Sequence, residues 1–168
     1  MGDKRYEIRD KVKGGELVGL EYEPLFPYFA NTKNGFRVVA GDFVSTIDGT
    51  GIVHIAPAFG EDDYNTGKKE NVPMVQHVTM EGKFVPEVID FAGQEVKPKE
   101  DPTKTDVEII NYLAEKGLLF SKEKFEHSYP HCWRCDTPLL NYATSCWFVK
   151  VTGLKKQLLK NYEQIIWI

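Results

Sequence analysis

The stretch GTGIVHIAPAFGEDDY, residues 49–64, restricts the fold more than any other part of the chain. From Ile52 to Ile55 it has the two-residue period of a strand, which puts Ile52 and His54 on one face and Val53 and Ile55 on the other. Pro57 removes a backbone donor and so ends sheet pairing, and Gly60 permits a tight turn. The triplet Glu61, Asp62 and Asp63 then falls where a helix would begin, and free backbone N–H groups favour carboxylates there. A bland reading makes Asp62 or Asp63 a helix cap and His54 an ordinary strand residue. The functional reading is that His54 and a carboxylate of the triplet converge on one pocket beyond the strand end. In such a pocket a carboxylate can hold an ammonium group, and a neutral histidine can bind a hydroxyl or orient water.

The rest of the chain reads as a β-dominated α+β protein. With 42% hydrophobic and 27% charged residues over a length of 168, it has enough apolar material for a core and is not of disordered composition. Two β-rich runs, residues 36–40 and 43–47, precede a turn at Asp48 and Gly49, and an earlier strand in ELVGLEYEPLFPYF gives way to a loop at Pro24 and Pro27. Residues 62–70 suit a short helix starting near Gly60 or Glu61, and PMVQHVTMEGKFVPEV suits a hairpin turning at Glu81 and Gly82. In KTDVEIINYLAEKG, Thr105 with Glu108 forms a capping-box pattern. Val107, Ile110, Leu113 and Ala114 share a face there, and Gly117 supplies the stop, so a helix is expected over 105–116. A last helix is expected from Leu154 to about Gln164. The charged start MGDKRYEIRD and the apolar end YEQIIWI read as the ends of a piece of something longer.

Several function classes are disfavoured by composition. The formal net charge of −4 means that any nucleic acid must be met by a local basic face. Lys155, Lys156 and Lys160 form an ordinary solvated helix face, and Trp133, Trp147 and Trp167 read as packing residues. No apolar run is long enough to span a membrane, and the three cysteines, two of them in CWRC, point to a reducing compartment such as the cytoplasm. Cys132 and Cys135 have the spacing of half a zinc knuckle, with His127 and His131 beside them. A structural zinc needs four ligands. Either the histidines complete the set, or other ligands lie outside this chain, or the pair is two reduced thiols without metal.

Three segments, LVGLEYEPLFPYF, GTGIVHIAPAFGEDDY and HSYPHCWRCDTPLL, together resemble the editing insertion (connective peptide 1) of isoleucyl-tRNA synthetases, over nearly the whole chain and in the family's order. Valyl and leucyl relatives share the GTG and the Pro-Ala pair but typically lack a histidine at the position of His54, so the isoleucyl likeness rests on His54 and residues 59–64. The resemblance implies a mainly antiparallel, barrel-like editing domain with a few helices over residues 1–126. It implies that residues 127–168 form a flank bearing the Cys132/Cys135 half-knuckle and returning toward the aminoacylating core.

The implied reaction is hydrolysis of the aminoacyl ester of mischarged Val-tRNA(Ile), whose acceptor 3′ end would be the partner, together with the rest of the synthetase chain. A pocket that fits isoleucine excludes valine only weakly because the two differ by one methylene, a limit for which isoleucyl enzymes are the usual illustration. By position, Asp63 matches the residue that grips the substrate's α-ammonium, and His54 matches the one that lines the amino-acid pocket. Thr50, Gly51, Phe59 and Gly60 complete the implied substrate-binding set. The family's threonine-rich wall segment has no counterpart here, nor do its nucleotide-binding signatures, so ATP and magnesium belong to a core outside this sequence. Two other readings remain: a module that only docks the tRNA end, and a zinc-knuckle interaction domain.

Overall fold

The computed structural model describes residues 7–47, 50–124 and 126–166. The expected turn at Asp48 and Gly49, the charged start as far as Tyr6, and Trp167 in the apolar end lie outside the described residues. Among the described residues four α-helices follow one another: α1 (Gly14–Leu17), α2 (Glu61–Glu70), α3 (Lys104–Glu115) and α4 (Val151–Tyr162). Short 3-10 turns occupy Pro27–Phe29 and Ile89–Phe91. No helix among the described residues is long and apolar enough to cross a membrane.

Backbone pairing among the described residues is antiparallel and confined to isolated bridges, Glu21 with Arg37, Val78 with Phe84, Lys83 with Glu95, and His131 with Pro138. The second and third join into a small meander. Thr79 N–H donates to the Lys83 carbonyl at 2.7 Å, Val85 N–H to His77 at 3.1 Å, and Phe84 N–H to Gln94 at 3.0 Å. The expected hairpin is therefore present, and Gly82 at φ +74 turns it, in the left-handed region that a residue without Cβ enters freely. Residues 20–22 pair with 36–38 through Tyr22 N–H to Phe36 and Val38 N–H to Leu20. The expected strand over 52–55 has no bridge partner among the described residues, and Ile52, Val53 and His54 are exposed.

The meander carries the core. Val78, Phe84, Val88 and Phe91 are buried together, with Phe26, Phe29, Phe59, Ile109, Tyr112 and Leu140 packed around them. Burying such side chains contributes about 1.5–3 kcal/mol each. Helix α3 closes one side of this core, but not by the face or cap expected. Its N-cap is Thr103, without a side-chain cap bond, and Thr105 is buried inside the helix, donating its hydroxyl to the Glu95 carbonyl at 2.7 Å. The Thr105–Glu108 capping box is therefore not formed. The inward face is Thr105, Ile109 and Tyr112, while Val107 and Ala114 are exposed. The sheet edge at Glu95 needed a donor, and a threonine one turn into the helix supplies it while bringing Ile109 and Tyr112 onto the aromatics. Gly117 at φ +70 ends the helix as expected.

Tyr28 and Tyr112 both donate to Asp90 Oδ2, at 2.7 and 3.3 Å, tying the 3-10 turn before the core to α3. Burial and then the Asp90 bond raise the Tyr28 phenol well above its ordinary value, so it stays a donor. Helix α4 begins three residues earlier than expected and has no buried residue. Thr105→Val keeps the side-chain volume and leaves the Glu95 carbonyl without its donor. It should lower unfolding stability by about 1–3 kcal/mol, read from the denaturant midpoint at constant slope; an unchanged midpoint would contradict the role given to this bond.

Candidate functional site

Helix α2 sets the site. Its interior face consists of small residues, Thr66 and Gly67, both buried, and Gly67 lies directly on the buried Pro57. A Cβ on Gly67 would stand 2.8 Å from Pro57 Cγ, so only glycine allows the helix to lie this close to the residue 56–60 turn. At its far end, Asn71 adopts the left-handed conformation of the C-cap, and the Arg37 guanidinium donates to the Glu70 carbonyl, a cation placed at the negative end of the helix.

The N-cap of α2 is Gly60, which has no side chain to cap with, so neither Asp62 nor Asp63 serves as the cap. Both lie in the first turn beside Glu61, where the helix dipole favours them. Asp62 is exposed and Asp63 half-buried. Asp63 Oδ2 turns back out of the helix to accept the Ala56 N–H at 3.2 Å, while among the described residues Oδ1 has no hydrogen-bond partner. The Ala56 carbonyl in turn accepts from Phe59 N–H at 2.9 Å, which closes the turn.

Phe59 projects from this turn onto His77, with ring centroids 4.7 Å apart, and onto Tyr142 at 6.3 Å. His77 also stacks on Phe84. Burial, and secondarily the charge of nearby His54, hold the His77 imidazole below its ordinary value, against a hydrogen bond to the Val75 backbone, so it is neutral at pH 7. His54 thus lies within electrostatic reach of His77, on the exposed segment leading to the Asp63 loop. Behind the loop, Ala143 N–H donates to Ala58 at 2.8 Å and Gln76 Nε2 donates to Ala143 at 2.8 Å.

Of the residues named from sequence, Phe59, Gly60 and Asp63 are brought into contact around one turn. Thr50 and Gly51 form a separate local turn. The Thr50 hydroxyl bonds the Ile52 backbone, and Gly51 at φ +77 lies against Thr46. His77 and the Ala56 N–H were not anticipated. His77 sits in an alternating apolar run that reads as plain hairpin, and a main-chain donor leaves no mark on a sequence.

Cys132 and Cys135 occupy a knuckle apart from this site. Cys132 N–H donates to Thr137 and Asp136 N–H to Cys132, with Asp136 at φ +56. A hydrogen bond with the Thr137 hydroxyl, at 3.1 Å, then the Thr137 backbone and Cys132, lower the exposed Cys135 thiol to about 7. That is the thiolate character a metal donor needs. His127 Nδ1 and His131 Nδ1 instead face the carbonyls of Ser128 and Tyr129. Among the described residues no three His, Cys, Asp or Glu side chains gather at one point.

No family model matches the chain. Whole-length comparison is decisive. The chain is 50% identical over 165 residues to the isoleucine–tRNA ligase of Clostridium tetani, which covers 98% of it. It is 46% identical over 164 residues to that of Thermoplasma volcanium and 48% identical over 170 to that of Tetrahymena thermophila. The chain belongs to the isoleucine–tRNA ligase family. It spans about 15% of the length of the curated relatives it matches, so within the family it corresponds to one segment of a much longer protein.

Among the described residues Cys132 and Cys135 offer two thiols, whereas a structural zinc site requires four ligands. The 168-residue chain should therefore retain well under one equivalent of zinc after dialysis against a mild chelator, measured by elemental analysis. A full equivalent surviving dialysis would mean that a third and fourth donor come from this chain.

Proposed function

We propose that this segment is the proofreading part of an isoleucine–tRNA ligase, hydrolysing the aminoacyl ester of valine mischarged on tRNA(Ile). The observation that carries the reading is the Asp63 carboxylate: half-buried, folded back onto the Ala56 N–H through one oxygen, with the other unengaged among the described residues. A fixed carboxylate with one oxygen to spare is suited to a primary ammonium, and partial burial strengthens a charge-assisted hydrogen bond. His54 lines the amino-acid pocket and Phe59, backed by His77, forms its apolar floor, with Thr50, Gly51 and Gly60 shaping the entry.

The chemistry needs no covalent nucleophile. Water adds to the ester carbonyl carbon, the bond to the terminal ribose oxygen breaks, and that oxygen takes up a proton, releasing valine and uncharged tRNA. The neighbouring ribose hydroxyl and ordered water carry the proton. Asp63 contributes by anchoring the amino group and so placing the ester, a gain in orientation and not in acid–base chemistry. In this reading the bridges around the meander belong to a larger antiparallel, barrel-like sheet. The partners are the tRNA 3′ end and the remainder of the ligase, where ATP and magnesium are used, and the setting is the cytoplasm.

Asp63→Ala, made in the full-length ligase, removes a charged hydrogen bond contributing about 1.5–3 kcal/mol. At about 1.4 kcal/mol per tenfold, Val-tRNA(Ile) deacylation should fall by about one to two orders of magnitude. Isoleucine activation serves as the check on folding, and exposed Asp62→Ala as the neighbour control. If the Asp63 and Asp62 variants deacylate equally well and differ only in melting temperature, Asp63 is structural and does not anchor the ammonium.

A further inference from the structure

Gly60 precedes α2 in extended backbone, φ −148 and ψ 145, which any residue adopts. Its conformation therefore does not call for glycine. Its role as N-cap does not either, because Ser, Asp or Asn would cap better. The reason is space. A Cβ built on Gly60 would stand 2.7 Å from Asp63 Oδ2 and 3.0 Å from its Cγ, closer than non-bonded atoms tolerate. The volume where a side chain would begin is filled by the Asp63 carboxylate on its way to the Ala56 N–H.

We propose that Gly60 is a positioning residue: by lacking a side chain it leaves the space in which the Asp63 carboxylate lies, and so fixes the oxygen that receives the substrate's ammonium. This rests on the proofreading reading of Asp63. The obstructing atoms would be the far end of a rotatable side chain, not backbone, so a methyl at position 60 is accommodated by swinging the carboxylate away. The protein folds, the Ala56 N–H loses its acceptor, and the anchor for the amino group moves by roughly an ångström. Misplacements of that size cost about a hundredfold in rate where orientation is the catalytic contribution.

The test is a double-mutant cycle in the full-length ligase, with Val-tRNA(Ile) deacylation and thermal melting measured on each protein. Gly60→Ala should lose about tenfold to a hundredfold in deacylation. Gly60→Ser, which supplies a capping hydroxyl but carries the same Cβ, should lose as much. Added to Asp63→Ala, Gly60→Ala should cost nothing further, because no carboxylate remains to displace. Wild-type deacylation in Gly60→Ala or Gly60→Ser, or losses that multiply in the double variant, would overturn the proposal. If Asp63→Ala itself deacylates normally, the proofreading reading falls and the steric claim is judged on melting. Gly60→Ala should then lower the melting temperature by less in the Asp63→Ala background than alone, and equal shifts would overturn it.

Discussion

The burial of Val78, Phe84, Val88 and Phe91 is what the other contacts rely on. The meander that carries these side chains has few backbone bonds of its own, and isolated pairs of short strands are marginal in water without an apolar face to bury. The aromatic ring of neighbours supplies that face. Phe26 and Tyr112 close it from one side, and Phe59 and His77 from the other. Phe59 belongs to the core and to the candidate site at once, so the loop that holds Asp63 is anchored by hydrophobic packing and not by sheet pairing.

That anchoring explains why an unpaired segment can present a defined geometry. Residues 52–55 make no ladder among the described residues, yet just beyond them Pro57 lies against Gly67 of α2, and Ala58 accepts a hydrogen bond from the Ala143 N–H. The carboxylate of Asp63 then closes the loop over seven residues through the Ala56 N–H. Two glycines make this possible for steric reasons alone, Gly67 by admitting Pro57 and Gly60 by admitting Asp63. Replacing Gly67 by alanine would raise the helical propensity of α2 and still disturb the site, because the added Cβ meets Pro57.

Much of the local structure is legible in the sequence, and the failures have physical causes. The extents of α2 and α3 follow from the acidic triplet after Gly60 and from Gly117. The cap and inward face of α3 do not. Thr105 followed by Glu108 fits a capping box, but the Glu95 carbonyl claims the buried hydroxyl and the helix turns Ile109 and Tyr112 toward the core. Tertiary demand overrides a local pattern here, as it commonly does. Around the candidate site, the closeness of Phe59, Gly60 and Asp63 is legible because they fall within five residues of the motif GTGIVHIAPAFGEDDY. The partners that position them, the Ala56 N–H, His77, Gln76 and Ala143, come from separate segments or from the main chain, and no periodicity marks them.

In the proposed function Asp63 recognises a positive charge on the aminoacyl group. Replacing the α-ammonium of the valyl ester by a hydroxyl removes that charge and keeps the ester, the side chain and the tRNA. Deacylation of Val-tRNA(Ile) and of its α-hydroxyisovaleryl counterpart, each by the full-length ligase and by its Asp63→Ala variant, isolates the contact directly. The hydroxyl analogue should slow the native enzyme by about one to two orders of magnitude and leave the variant almost indifferent to which substrate it is given. An equal penalty in both proteins would contradict it, because the ammonium would then be recognised by something other than Asp63.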